Sequence, residues 1–287
     1  GKKIVVFHIF SCLLLPPGYA RISNVEFYHT GQEGWTDFYD PRYSLAFLDV
    51  GEVEDDHRKS HIRKNTFHSG FSPAIGVFGT QNLDIEDNVI HHTVGPAMRI
   101  WGVDNKVRRN LAMLLIWPDG YQDRSEDSPE WTPVFDMFEA LTPVLTGNVA
   151  AGSQRAGFRV DGEPCTGNSA EAWSGNIAHS CMVGVLVFPG DGLTPCTKIS
   201  GFTVWKAHDY GVYFQAKIKE VVVENVVLVD SQVGIYTMLF GAKPLNHDAV
   251  EKSMTVRDSV IVGTSPFFDC TLDYTPSDHS YKIASRY

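Results

Sequence analysis

The feature that most constrains this chain is a degenerate repeat built on asparagine. An Asn with an apolar residue two or three places before it and another after it recurs as ISNVEF (Asn24), IRKNTF (Asn65), IEDNVI (Asn88), VRRNLA (Asn110), LTGNVA (Asn148), WSGNIA (Asn176) and VENVVL (Asn225). Two variants follow the same pattern, ISGFTV at Gly201 and VRDSVI at Ser259. From Asn65 onward these landmarks lie 23, 22, 38, 28, 25, 24 and 34 residues apart. The base period is therefore about 22–25 residues with longer intervals, and a period of that length assigns one structural coil to each repeat. A Gly and a short apolar run follow each landmark, as in GVFG (Gly76), GFRV (Gly157), GVLVF (Gly184) and GVYF (Gly211). Each repeat thus carries at least two short strands separated by bends. Such strands are too short to stand as hairpins. Stacked at the strand spacing of about 4.8 Å, each one pairs with its equivalents above and below.

The pattern predicts an all-β chain, a right-handed parallel β-helix of pectin-lyase-like type with roughly nine or ten coils. It treats residues 1–287 as one β-helical domain with two inserted surface loops, about 28–60 and 116–144. The Asn has two reasons to recur. It tolerates left-handed backbone at a bend, and its amide can bond the equivalent amide in the next coil. The expected bend ladder is Asn24, Asn65, Asn88, Asn110, Asn148, Asn176, Gly201 and Asn225, with Gly201 serving the same backbone need. The residue after the landmark is apolar in nearly every copy (Val25, Val89, Leu111, Val149, Ile177, Phe202, Val226 and Val260, with Thr66 the exception), which predicts that it points into the stack. Within the loops, 43–50 reads as a strand and 136–141 as a helical turn.

Composition narrows the functional classes. Hydrophobic residues make up 43% and charged residues 20%, which excludes a disordered chain. A net charge of -10 leaves no basic stripe for phosphates, so nucleic acid is excluded as a partner. The opening segment mimics a secretory leader, yet 4–9 also reads as a buried strand, the reading adopted here. It is too short to span a bilayer. The five cysteines show no metal-ligand spacing, so no metal site is assigned. Cys165, Cys181 and Cys196 lie close together in loop-like surroundings, and one disulfide among them is expected, with the pairing open.

β-Helices of this kind often act on polysaccharides through carboxylates on one face. The best cluster is Asp84, Glu86, Asp87, His91, His92, Arg99 and Asp104, which adjacent coils would bring together. The signal is weak, since acids beside an Asn at a bend are common for turn reasons alone, and the reading assigns no catalytic residue. Trp117 and Trp131 flank an acidic insertion and are the candidates for ligand contact. The acidic run 119–130 could take calcium, although its spacing matches no known calcium loop and it reads first as solvated. No other cofactor is implied.

Taken together, VEFYHTGQEG, SHIRKNTFHSGFSPAIGVFGTQNLDIEDNVIHHTVGPAMRIWG and LTGNVAAGSQRAGFRVDG resemble the β-helix region of the fibrocystin family. The resemblance implies an extracellular segment cut from a very large single-pass membrane protein, linked with cilia or with the surface coat of stereocilia. It implies a rigid adhesion or coat module that binds an extracellular glycan or protein, including a second copy of itself, and no established enzyme activity. A chain cut in this way would present a raw first coil that upstream sequence normally covers. The same region is similar to the cell-surface hyaluronidase-related proteins, whose pattern places histidines in a strand that here reads Arg42-Tyr43-Ser44-Leu45-Ala46-Phe47-Leu48. Loss of those imidazoles removes the groups that exchange protons near neutral pH. A polysaccharide-acting enzyme is the competing expectation.

Overall fold

The protein is described by a computed structural model covering residues 7–10, 19–35, 39–56, 58–116, 132–165, 173–189, 193–215, 217–237, 239 and 252–265. Its strands wind into a three-sided stack. Each coil runs along a first short face, turns a corner, crosses a second short face and then the long face. The first short face holds six strands from Arg21–Ser23 to Trp173–Ser174, and Leu193–Ser200, Lys217–Glu224 and Ser253–Arg257 take the same place in later coils. The second short face holds nine strands from Glu26–Tyr28 to Val260–Val262, and the long face nine from Phe7–Phe10 to Val233–Tyr236. Neighbouring strands pair in parallel, as the β-helix requires. The expectation of at least two strands per coil is met with three, because the residues before the Asn form a face of their own.

Interior side chains stack in columns. On the second short face Phe27, Phe67, Ile90, Ala112, Ala150 and Ala178 lie in register. Where this column narrows to alanine, the long face supplies Phe135 and Phe158, stacked 4.9 Å apart, and the first short face supplies Trp173. Large opposite small keeps the cross-section filled, which close packing demands. Gly157, Gly184 and Gly211 follow one another on the long face. A Cβ on Gly184 would lie 2.3 Å from a Val204 methyl and 2.6 Å from the Gly211 carbonyl oxygen. The recurring Gly therefore marks the close approach of two faces, and its rule is steric rather than a bend requirement.

Several expectations need correction. The residue after the landmark points outward in several copies: Val89 is exposed and Leu111, Val149 and Ile177 are half-buried, while the next residue fills the core, and Val25 and Val260 are exposed as well; Phe202 and Val226 are buried as expected. In a strand with period two, one step moves a side chain to the other face. The long intervals are not wholly excursions, since Leu45–Glu52 and Pro133–Met137 are regular strands of the long face. Asp136 and Met137 accordingly end a strand, and 136–141 is not a helical turn. The segment Phe7–Phe10 pairs with Leu45–Leu48, so this part of the opening is a strand.

Candidate functional site

At the corner between the short faces, Asn65, Asn88, Asn110, Asn148 and Asn176 are buried one above another. The Oδ1 of Asn88 accepts from the backbone N and the Nδ2 of Asn65, both at 3.0 Å. Its Nδ2 donates to the Ile62 carbonyl and to the Oδ1 of Asn110, again at 3.0 Å. The same four bonds recur at Asn110 and Asn148. Each amide is fully used only when the coils stack in step.

The expected ladder is wrong in register at its ends. Strand pairing puts Val25, not Asn24, below Asn65, and puts Phe202 and Val226, not Gly201 and Asn225, above Asn176. Asn24, Gly201 and Asn225 belong one residue earlier, in a separate column with φ between 50° and 71° that includes Lys64, Asp87, Arg109, Gly147 and Gly175. Left-handed backbone thus falls on the residue before the ladder amide, and the two roles assigned to one Asn are divided between neighbours. Asn105, at the corner between the long and first short faces, also buries its amide, accepting from the Leu83 N and donating to the Thr80 carbonyl. The repeat search missed it because no stacked partner gives it a period.

The carboxylate cluster is not assembled on one face. Asp84 and Glu86 project from the first short face with Asp87 at its corner; His91 lies on the second short face with His92 at the next bend; Arg99 lies on the long face and Asp104 at a third corner. Cations surround the three acids. Asp84 faces Lys59 at 3.3 Å and Lys106 at 3.8 Å and is bonded by Arg63, while Glu86 faces Arg63 at 3.4 Å and Arg108 at 3.0 Å. Arg109 bonds Asp87 at 2.7 Å, and chiefly that hydrogen bond holds the Asp87 carboxyl below its ordinary range. Arg99 is paired with the buried Asp136 at 2.8 Å, and Asp104 accepts from Thr142. Asp87, whose proton affinity is lowered by its cation, is a poor general acid.

On the outer side of the long face, Trp35 and Tyr43 pack over Ala46, Leu48 and Phe78, with Trp101 at the margin. Ala46 and Leu48, the outward positions of the strand that resembles the histidine strand, are 0% and 2% exposed. That patch is therefore sealed by rings. Farther along, the Arg159 guanidinium lies 4.1 Å from the Phe138 ring centre and 5.3 Å from that of Phe188. Beside it, burial pushes the Asp161 carboxyl up to about 7, against a hydrogen bond from the Glu139 N that lowers it. No motif signals this pair; only strand alternation could have placed both residues outward.

Cys165 and Cys196 form the disulfide, and Cys181 is a free buried thiol whose pKa burial raises to about 11, which makes it inert. Near the disulfide the buried Lys198 reaches Glu224 at 3.3 Å and Glu163 at 3.8 Å. Trp117, Trp131 and the run 119–130 lie outside the described residues. Among the described residues no group of three or more His, Cys, Asp or Glu is placed to hold a metal ion, and no helix is long and apolar enough to cross a membrane.

A family model described as the CEMIP beta-helix matches residues 12–133, which relates the chain to hyaluronidase-like proteins. Human Fibrocystin-L is 44% identical over an alignment that spans all of this chain, and so is mouse Fibrocystin-L. Fibrocystin of Canis lupus familiaris is 30% identical over 89% of the chain. The chain spans about 7% of the length of the Fibrocystin-L relatives and 6% of that Fibrocystin. With similarity that runs from end to end, on strands that stack in parallel coil after coil, this chain is a β-helical segment of the fibrocystin family.

Proposed function

We propose that this segment is a non-catalytic extracellular scaffold, a rigid rod within a large membrane-anchored protein that contributes to a cell-surface coat and offers its outer faces to glycan or protein partners. The observation that carries this reading is the state of the candidate acids. Asp84, Glu86 and Asp87 are each bonded by Lys or Arg, and His91 and His92 stand away from their face; His61, which neighbours Asp84 on that face, is bonded to the Ser23 hydroxyl at 2.8 Å. Family membership supports the extracellular setting. A stack whose corners are internally satisfied is suited to holding shape rather than to closing on a substrate.

The test incubates the chain with hyaluronan, chondroitin and pectin, with and without calcium, and follows chain length. No shortening is expected under any condition. Shortened chains, with the effect abolished by Asp87→Ala or His92→Ala, would establish a polysaccharide-cleaving enzyme and overturn the scaffold reading.

A further inference from the structure

The three faces are finished differently. The outer side of the first short face carries paired charges, and the long face is partly sealed by the Trp35 and Tyr43 rings. The second short face is left bare. Beyond Glu26, its first outward column runs Thr66, Val89, Leu111, Val149, Ile177, Thr203, Val227 and Val260, without charge. Its other outward column, from His68 to Val262, also contains no Asp, Glu, Lys or Arg. Val89 and Val227 are 37% exposed and Val260 is 53% exposed. In a chain with 58 charged residues among 287 (24 basic plus 34 acidic), so long an uncharged strip marks an interaction surface.

We propose that this face pairs with the same face of a second copy, the two stacks running antiparallel about a two-fold axis that passes between Val149 and Ile177. Three observations select a second copy over a glycan or an unrelated protein. The first outward column is chiefly aliphatic, and aliphatic side chains offer sugar hydroxyls no donor or acceptor; the polar rings of His68, His91, His179 and Trp205 are confined to the second column. Eight overlapping strands at about 4.8 Å spacing, crossed over roughly five residues, give a footprint of about 600 Å² per copy, close to the ~800 Å² each partner brings to a standard interface. The two-fold operation also matches unlike with unlike. It sets the corner cation Lys64 opposite Asp258 and the imidazole of His92 opposite the Asp230 carboxylate. On the face itself it sets Met113 against the ring of Trp205, and Ala151 against His179, which stacks on Trp205 at 4.0 Å. Glu26, the one acid in these columns, falls beyond the overlap because its coil is left without an opposite number. A closed two-fold contact of this kind is self-complementary and does not propagate.

This inference names a partner for the scaffold and rests on that reading, yet the two fail separately: a monomer that leaves glycans intact refutes the pairing alone. Sedimentation equilibrium of the 287-residue chain is expected to show reversible dimers with a Kd of about 1–50 µM. Val149→Asp and Ile177→Lys, each at an outward position, should each raise that Kd at least tenfold, about 1.4 kcal/mol or more. An equimolar mixture of the two variants should recover dimer to within about threefold of the unaltered chain, because the axis brings residue 149 of one copy against residue 177 of the other. A monomer at ~100 µM, a dimer indifferent to both changes, or a mixture without recovery would overturn the proposal. Should either variant lose its β-strand circular dichroism, oxidative cross-linking between Leu111→Cys chains and Thr203→Cys chains reads the same register. Absence of the mixed disulfide would then refute it.

Discussion

The corner between the short faces is built in two ways along one molecule. From Asn65 to Asn176 it is a column of amides that bond one another; from Phe202 onward the same corner holds Phe202 and Val226, buried at 1% and 0% exposure. The backbone follows the same path in both regions, so the amide is not needed to turn it. What the amide adds is register. Each Oδ1 finds its donors only if the next coil sits in step, whereas an apolar plug tolerates a slip that a ladder would punish. The region without amides is fastened by other means. The Cys165–Cys196 bridge straddles the end of the ladder, and Lys198 is clamped between Glu163 and Glu224 just beyond it.

The largest expected effect breaks that fastening. Replacing Cys165 and Cys196 together by Ser opens a loop of 31 residues and should cost about 3–4 kcal/mol in urea unfolding. A loss below about 1 kcal/mol would show that packing alone holds the later coils. Asn148→Ala should follow at about 2–4 kcal/mol, since it strands buried partners in the coils on either side. Val226→Ala at the equivalent corner should cost about 1–2 kcal/mol, and equal losses at the two sites would abolish the distinction drawn above. Gly201→Ala and Gly175→Ala sharpen it further. Both glycines have positive φ, but a Cβ at 201 would meet the Trp173 carbonyl oxygen at 2.3 Å, while at 175 nothing lies within 3.8 Å. Losses of about 2–3 and about 1 kcal/mol are expected in thermal melts.

The smallest effect concerns pH. Asp161 has a folded pKa of about 7, above its ordinary 3.8. The native state therefore holds this proton more tightly than the unfolded chain does. Stability from this group is complete below about pH 4 and is lost as pH rises through 7. Asp161→Asn should remove about 1–2 kcal/mol of that slope between pH 4 and 8, the figure being reduced for partial contact with solvent. A melting profile with the same slope in both proteins would place the titration elsewhere.

Much of the architecture was legible because stacking repeats the same demand every coil. The period, the parallel pairing and the Asn65 to Asn176 column all follow from it. The ladder's ends were not legible. Asn24 and Asn225 match the local pattern, yet they serve the preceding, left-handed position, and sequence spacing cannot separate adjacent columns that both accept Asn. The same one-residue ambiguity put Val89 and Val149 inside when they stand outside. The supposed acidic site failed for a different reason. Asp84, His91 and Arg99 lie within 16 positions, but a coil turns two corners over that distance and distributes them to three sides. Long-range ion pairs such as Lys59 with Asp84 leave no local trace at all.

The bridge between Cys165 and Cys196 has a mechanical consequence for a rod tethered at both ends. Under tension the coils would peel away in turn, each adding slack as its strands let go. The 31 residues enclosed by the bridge are withheld from that lengthening, and at about 3.4 Å per extended residue they shorten the reach of the pulled-out tether by roughly 100 Å. Whether the bridge is closed or reduced therefore sets how far the stack can be drawn out under load.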